Sequence, residues 1–167
     1  MAQNQAASSQ SHERRSGDRV FPRVVVGGVK TACLSRQQLG RLMVGDCLAA
    51  RGGRRRPKLV FATNGHAVAM AGTNRKFRRT FEAADIIHAD GAPVVFASKV
   101  LTTAPIPERS ATTDFLHDAA AMAQTHGLKF FLLGATGQLC AEALDICQSA
   151  LDVGLAFAVE AQELVAD

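Results

Sequence analysis

An acid–glycine pair set between two apolar runs constrains this chain more than any other feature. In ADIIHADGAPVVFASKVL, Ile86 and Ile87 lead to Asp90-Gly91, and Val94, Val95 and Phe96 follow. An apolar run that stops at an acid and a glycine, then resumes as a helix-compatible segment, reads as a strand ending at the carboxyl edge of an α/β sheet. Open α/β sheets bind ligands at that edge. A carboxylate there meets a substrate while the scaffold behind it stays dry. The pair also has a plainer reading, in which Asp90 caps the following helix and Gly91 relieves a tight turn.

Strand and helix signals alternate on either side of this pair. Residues 23–29 (RVVVGGV) read as a first strand closed by Gly27-Gly28. Ser35, with Gln38 at the third position, forms a capping-box pattern ahead of Leu39, Leu42, Met43 and Cys47 at helical spacing. Residues 58–62 form a second strand that runs into Thr63-Asn64-Gly65, and helical segments follow over 67–83 with Phe77 and Phe81 one turn apart. Residues 85–89 are the third strand, 93–101 a helix, and 102–113 a loop holding Pro105 and Pro107. Thr113 or Asp114 caps a long helix that ends at Gly127. A fourth strand over 129–133, a turn at 134–137, a helix over 138–151 and a fifth strand from Gly154 complete the order. The expected fold class is α/β, a mostly parallel sheet with helices on both faces in Rossmann-like layers. Residues 1–20, polar and without periodicity, read as a disordered tail, and 21–167 as one α/β domain.

Composition narrows the setting. At 47% hydrophobic residues over 167 positions, the chain can bury a core. It contains no apolar run of about eighteen residues, and its first residues lack the apolar centre of a secretory signal, so a cytoplasmic setting is expected. The net charge of +4 conceals an asymmetry, because residues 1–58 hold 12 of the 19 Lys and Arg but only 3 of the 15 Asp and Glu. The densest cluster, RGGRRRPK at 51–58, either draws the chain to an anionic membrane surface or is a solvated loop. With no Trp, no Tyr and no Phe inside the cluster there is no stacking platform, and a nucleic-acid partner is not expected. Cys33, Cys47, Cys140 and Cys147 show no CxxC spacing and no His pair stands at ligand spacing, so neither a metal nor another cofactor is expected.

Four segments, taken in order, resemble the WecB/TagA/CpsF family of bacterial glycosyltransferases: KLVFATN, ADIIHADGAPVVFASKVL, PERSATTDF and GLKFFLLGATG. The likeness covers roughly residues 24–155. It implies transfer of a sugar from a UDP-sugar to a polyprenyl-diphosphate-linked saccharide, a step of cell-surface polysaccharide synthesis. It implies a peripheral enzyme on the inner face of the cell membrane. Related enzymes continue with further strands and a C-terminal appendage, so the chain reads as the N-terminal two-thirds of such an enzyme. By itself it is expected to self-associate, a homo-oligomer included, and to be nearly inactive.

The resemblance assigns the catalytic base to Asp90, and the chemistry agrees, since a positioned carboxylate that takes the acceptor proton is worth ~10²–10⁴-fold. Asn64 neighbours Asp90 if the second and third strands pair, and its amide suits a sugar hydroxyl or the base itself. Its alternative is a left-handed turn residue before Gly65. The family's Thr two positions before this Asn is Ala62 here, with Thr63 adjacent and facing the other way; a substrate-binding part for Thr63 and Gly91 rests on the resemblance. Arg109, in Pro-Glu-Arg, grips a diphosphate or pairs with Asp114. Gly134 and Gly137 bracket a strand–helix turn whose backbone N–H groups suit the UDP diphosphate, although the spacing fits neither a dinucleotide fingerprint nor a P-loop. His88 shares a strand face with Asp90 and either tunes it, meets substrate or is structural. Two rival functions stand beside this one: a nucleotide-sugar-binding domain without turnover, and a basic membrane- or RNA-surface adaptor built on residues 51–58.

Overall fold

The first feature of the fold is a hairpin. Strand β1 (Arg23–Val26) pairs antiparallel with β2 (Val29–Ala32), Val26 opposite Val29. Gly27 and Gly28 form the two-residue loop at φ +56° and +82°, the left-handed region that a tight hairpin demands and glycine enters without steric cost. The single strand expected over 23–29 is therefore two strands, because the Gly-Gly pair turns the chain back on itself. The computed structural model describes residues 20–51, 53, 57–133, 138, 141–142, 145 and 155–159. All but the last residue of the tail expected over residues 1–20, and most of the helix expected over 138–151, lie outside the described residues.

Helix α1 (Arg36–Arg51) starts at the capping box: the Gln38 amide N–H donates to Ser35 Oγ at 3.2 Å, and the Ser35 N–H donates to Gln38 Oε1 at 2.8 Å. Strand β3 (Val60–Thr63) leads into α2 (Gly65–Thr73) and α3 (Arg75–Glu82). Asn74 separates these two helices, ending α2 and accepting from the Phe77 N–H at 3.0 Å to start α3. Strand β4 (Ile86–Ala89) then runs parallel to β3, and α4 (Ala92–Leu101) and α5 (Thr112–Thr125) follow. Strands β5 (Phe130–Leu133) and β6 (Leu155–Val159) form another parallel pair.

β4 organises the core because every one of its residues is buried. Alternate side chains face opposite ways along a strand. Ile86 packs with Leu39 and Leu42 of α1 and Phe115 of α5. Ile87 packs with Ala67 and Ala71 of α2 and Phe81 of α3, and Phe81 stacks on Phe77 with ring centroids 4.8 Å apart. Ala89 packs with Val94 and Val95 of α4 and with Val24 and Val26 of the hairpin. Burying each large aliphatic side chain is worth about 1.5–3 kcal/mol, which explains why so short a strand can hold five helices. The architecture is mixed α/β, with five helices and three two-stranded sheets among the described residues. β2 lies alongside β4, yet among the described residues no ladder joins the strand pairs into one sheet.

Candidate active site

The parallel register sets the site. Thr63 lies opposite Ala89 at the ends of β3 and β4, so the next residues, Asn64 and Asp90, emerge side by side at the carboxyl edge. The Thr63 carbonyl accepts from the N–H of Asp90 at 2.9 Å and of Gly91 at 3.2 Å, which fixes the height of the loop. Gly91 sits hard against Asn64: a Cβ on Gly91 would stand 2.9 Å from Asn64 Cβ and 3.0 Å from its Cα. Its glycine identity reflects this close approach, since its φ of −92° is open to any residue.

Asn64 is not a left-handed turn residue. Its backbone is extended (φ −137°, ψ −177°), and Oδ1 accepts from the Ala67 N–H at 3.0 Å, making it the N-cap of α2. With Oδ1 engaged, the amide NH₂ is the group that can donate to a ligand. Asp90 does not cap the helix that follows it, for the N-cap of α4 is Gly91, with no side-chain cap. Its Oδ1 instead accepts from the Thr112 N–H at 3.2 Å. Helix α5 starts there, one residue before the expected cap at Thr113 or Asp114, and its own N-cap, Ala111, offers no side-chain bond. The carboxylate of one strand end thus serves the first turn of a distant helix.

Three helices, α2, α4 and α5, consequently begin around Asn64 and Asp90. Helix N-termini carry unpaired N–H groups and a partial positive charge, and they favour anions. Behind them, the segment 110–112 is stitched to β4. The Ser110 N–H donates to the Ala89 carbonyl at 2.7 Å, and the His88 ring is hydrogen-bonded to the Ser110 backbone. His88 is buried against Phe115 with ring centroids 6.0 Å apart, and its Nδ1 has no hydrogen-bond partner. Desolvation pulls its pKa below the ordinary 6.5, opposed by the charge of Asp90 and the bond to Ser110. Neither His88's burial nor the Thr112 contact was readable from sequence; a lone His two residues before an acid was the only signal.

The other expected site residues are placed less centrally. Thr63 is fully buried with Oγ1 unpartnered, so it reaches the site through its carbonyl. Arg109 is half exposed and pairs with Asp114 at 3.2 Å. Asp114 and Asp118 also hold Arg36, at 3.7 and 3.1 Å, in a surface network at the start of α5. Gly134 and Gly137, and Arg54, Arg55 and Arg56 of the basic cluster, lie outside the described residues. Among the described residues no group of three His, Cys, Asp or Glu could hold a metal ion, and no helix is long and apolar enough to cross a membrane. A cavity of about 680 Å³ lies at the opposite, amino end of β4, lined by Gly28, Lys30, Arg78, Phe81 and Asp85. It does not reach Asp90.

A carboxylate and a carboxamide at adjacent parallel strand ends, ringed by helix N-termini, suit group transfer from an anionic donor. The model of the Glycosyl transferase WecG/TagA/CpsF family matches residues 24–159, and the chain belongs to that family of polysaccharide-synthesis glycosyltransferases. No curated protein matches the chain.

Proposed function

We propose that this chain carries the site that moves a hexosyl or N-acetylhexosaminyl group, with inversion, from a UDP-sugar to a polyprenyl-diphosphate-linked saccharide at the inner membrane face. The observation that carries the reading is the register that pairs Thr63 with Ala89 and so brings Asn64 and Asp90 out next to each other at the ends of β3 and β4. In this reading the strand pairs belong to one Rossmann-like, mostly parallel sheet, and the site occupies the crevice outside its strand ends.

Asp90 takes the proton of the acceptor hydroxyl while the oxygen attacks the anomeric carbon. The new carbon–oxygen bond forms on the face opposite the bond to UDP, which breaks, so configuration inverts. The Asn64 NH₂ donates to a sugar hydroxyl and holds that face toward Asp90. The N-termini of α2 and α4, Arg109 and the backbone of Gly134 and Gly137 meet the charge of the departing diphosphate. Such preorganised donors are worth more at a developing charge than in water.

Binding of UDP-sugars and turnover on a polyprenyl-diphosphate-linked saccharide test this reading. In an otherwise active, full-length context, Asp90→Asn is expected to lower turnover by ~10² or more while the fold stays intact. Undiminished turnover in folded Asp90→Asn would remove Asp90 from the mechanism, and failure to bind any UDP-sugar would remove the donor.

A further inference from the structure

Helix α4 leaves the site with an apolar outer face. Val94, Val95 and Ser98 are buried against β1 and β4, whereas Phe96 and Val100 are 70% exposed and Leu101 65%. Phe96 and Val100 stand one turn apart on the same side. Lys99 is the one charged residue of the helix, and residues 91–107 contain no carboxylate. A helix that exposes Phe, Val and Leu beside a Lys whose stem can lie along them, with no acid near in sequence, is compatible with an anionic lipid surface.

We infer that the outer face of α4 (Phe96, Lys99, Val100 and Leu101) rests in the headgroup region of an anionic membrane and brings Asp90 to a lipid-linked acceptor. The helix begins at Gly91, next to the base, and rises about 1.5 Å per residue. Phe96 is therefore about 8 Å along the axis from Gly91 and Val100 about 14 Å. The site at the start of the helix then stands beside the lipid surface, where the diphosphate-linked saccharide is presented. A second copy of the chain fits this face less well. A stable dimer buries about 800 Å² per partner, more than three side chains supply. A two-fold contact centred here would also set Lys99 against its own copy. The inference rests on the proposed membrane-bound acceptor.

The chain has no Trp and no Tyr, so Phe96→Trp introduces its sole indole. Phe96→Trp is mixed with vesicles of phosphatidylglycerol, of phosphatidylcholine, and of phosphatidylglycerol with brominated acyl chains, and UDP-sugar binding is measured in parallel. The expected result is solvent-exposed emission in buffer, a blue shift with phosphatidylglycerol, and quenching by the brominated lipid. Val100→Ser with Leu101→Ser, both surface changes, should weaken vesicle binding about tenfold or more. Vesicle binding with an unquenched indole would overturn the assignment of α4 and leave the transferase reading standing. Absence of vesicle binding would overturn the assignment, and so would concentration-dependent blue-shifted emission in buffer, the mark of a second copy. Quenching without any UDP-sugar binding would instead uphold the lipid surface and sink the transferase reading.

Discussion

Gly91→Ala is the substitution that probes the site's construction most directly. Its new Cβ would lie 2.9 Å from Asn64 Cβ and 3.0 Å from Asn64 Cα. Neither atom is the end of a flexible side chain, so β3 and the loop after β4 must part by several tenths of an ångström. Overpacking of this kind costs about 1–3 kcal/mol. The alanine recovers about 0.4–1 kcal/mol by restricting the unfolded chain, because φ at −92° is open to it. The net loss is about 1–2 kcal/mol, or a fall in Tm of about 2–8 °C for a chain of this size. Gly65→Ala is the matched control: it lies on the other side of Asn64, and its Cβ would meet nothing within 4 Å. It should leave Tm unchanged or raise it slightly. Thermal unfolding of both variants, with the Ala67 amide shift reporting the Asn64 cap, provides the assay. If Gly91→Ala melts with the wild type or above it, Asn64 and Gly91 are not in the contact described and the account of the site fails.

Further outcomes follow from other contacts. His88, held by burial below the ordinary imidazole pKa of 6.5, takes up a proton less readily when folded than when unfolded. Its contribution to stability is present above that value and is lost as pH falls below it. Denaturation between pH 7.5 and 5 should show a steeper acid loss for wild type than for His88→Gln; parallel curves would refute the burial of a neutral imidazole. Ser35→Ala should cost about 1 kcal/mol in denaturant unfolding, with Gln38→Ala adding less than its single effect because the two share one box. Gly27→Ala, at φ +56° and overlapping Val68 Cγ1, should destabilise by more than 2 kcal/mol, about twice the loss in Gly28→Ala, where only the backbone is strained. Equal losses would mean that the hairpin does not pack on α2.

Local order was legible wherever one stretch of chain settles it. The capping box at Ser35 and Gln38, the Phe77–Phe81 pair and the strand that ends at Asp90 all have periods or caps that act over a few residues. Even the hairpin has its signal in Gly27-Gly28, but the apolar Val29 reads equally as the end of one strand or the start of the next, and only the pairing of Val26 with Val29 decides between them. The segments that mark the glycosyltransferase family were also legible, since they are strings of sequence, and the family match covers residues 24–159.

The sequence by itself determined the α/β alternation, the family, and Asp90 and Asn64 as the residues to examine. Tertiary structure decided what those residues touch. Thr112 lies 22 positions from the Asp90 carboxylate it donates to, and Glu108 lies 72 positions from the Arg36 amide it accepts from. Arg109 took the Asp114 partner that its sequence position already offered, whereas His88 lost its water to Phe115 and the 110–112 segment. Such partners depend on which helix faces pack across β4. Hydrophobic periodicity tells a helix which face to bury, but not which distant group it will be buried against.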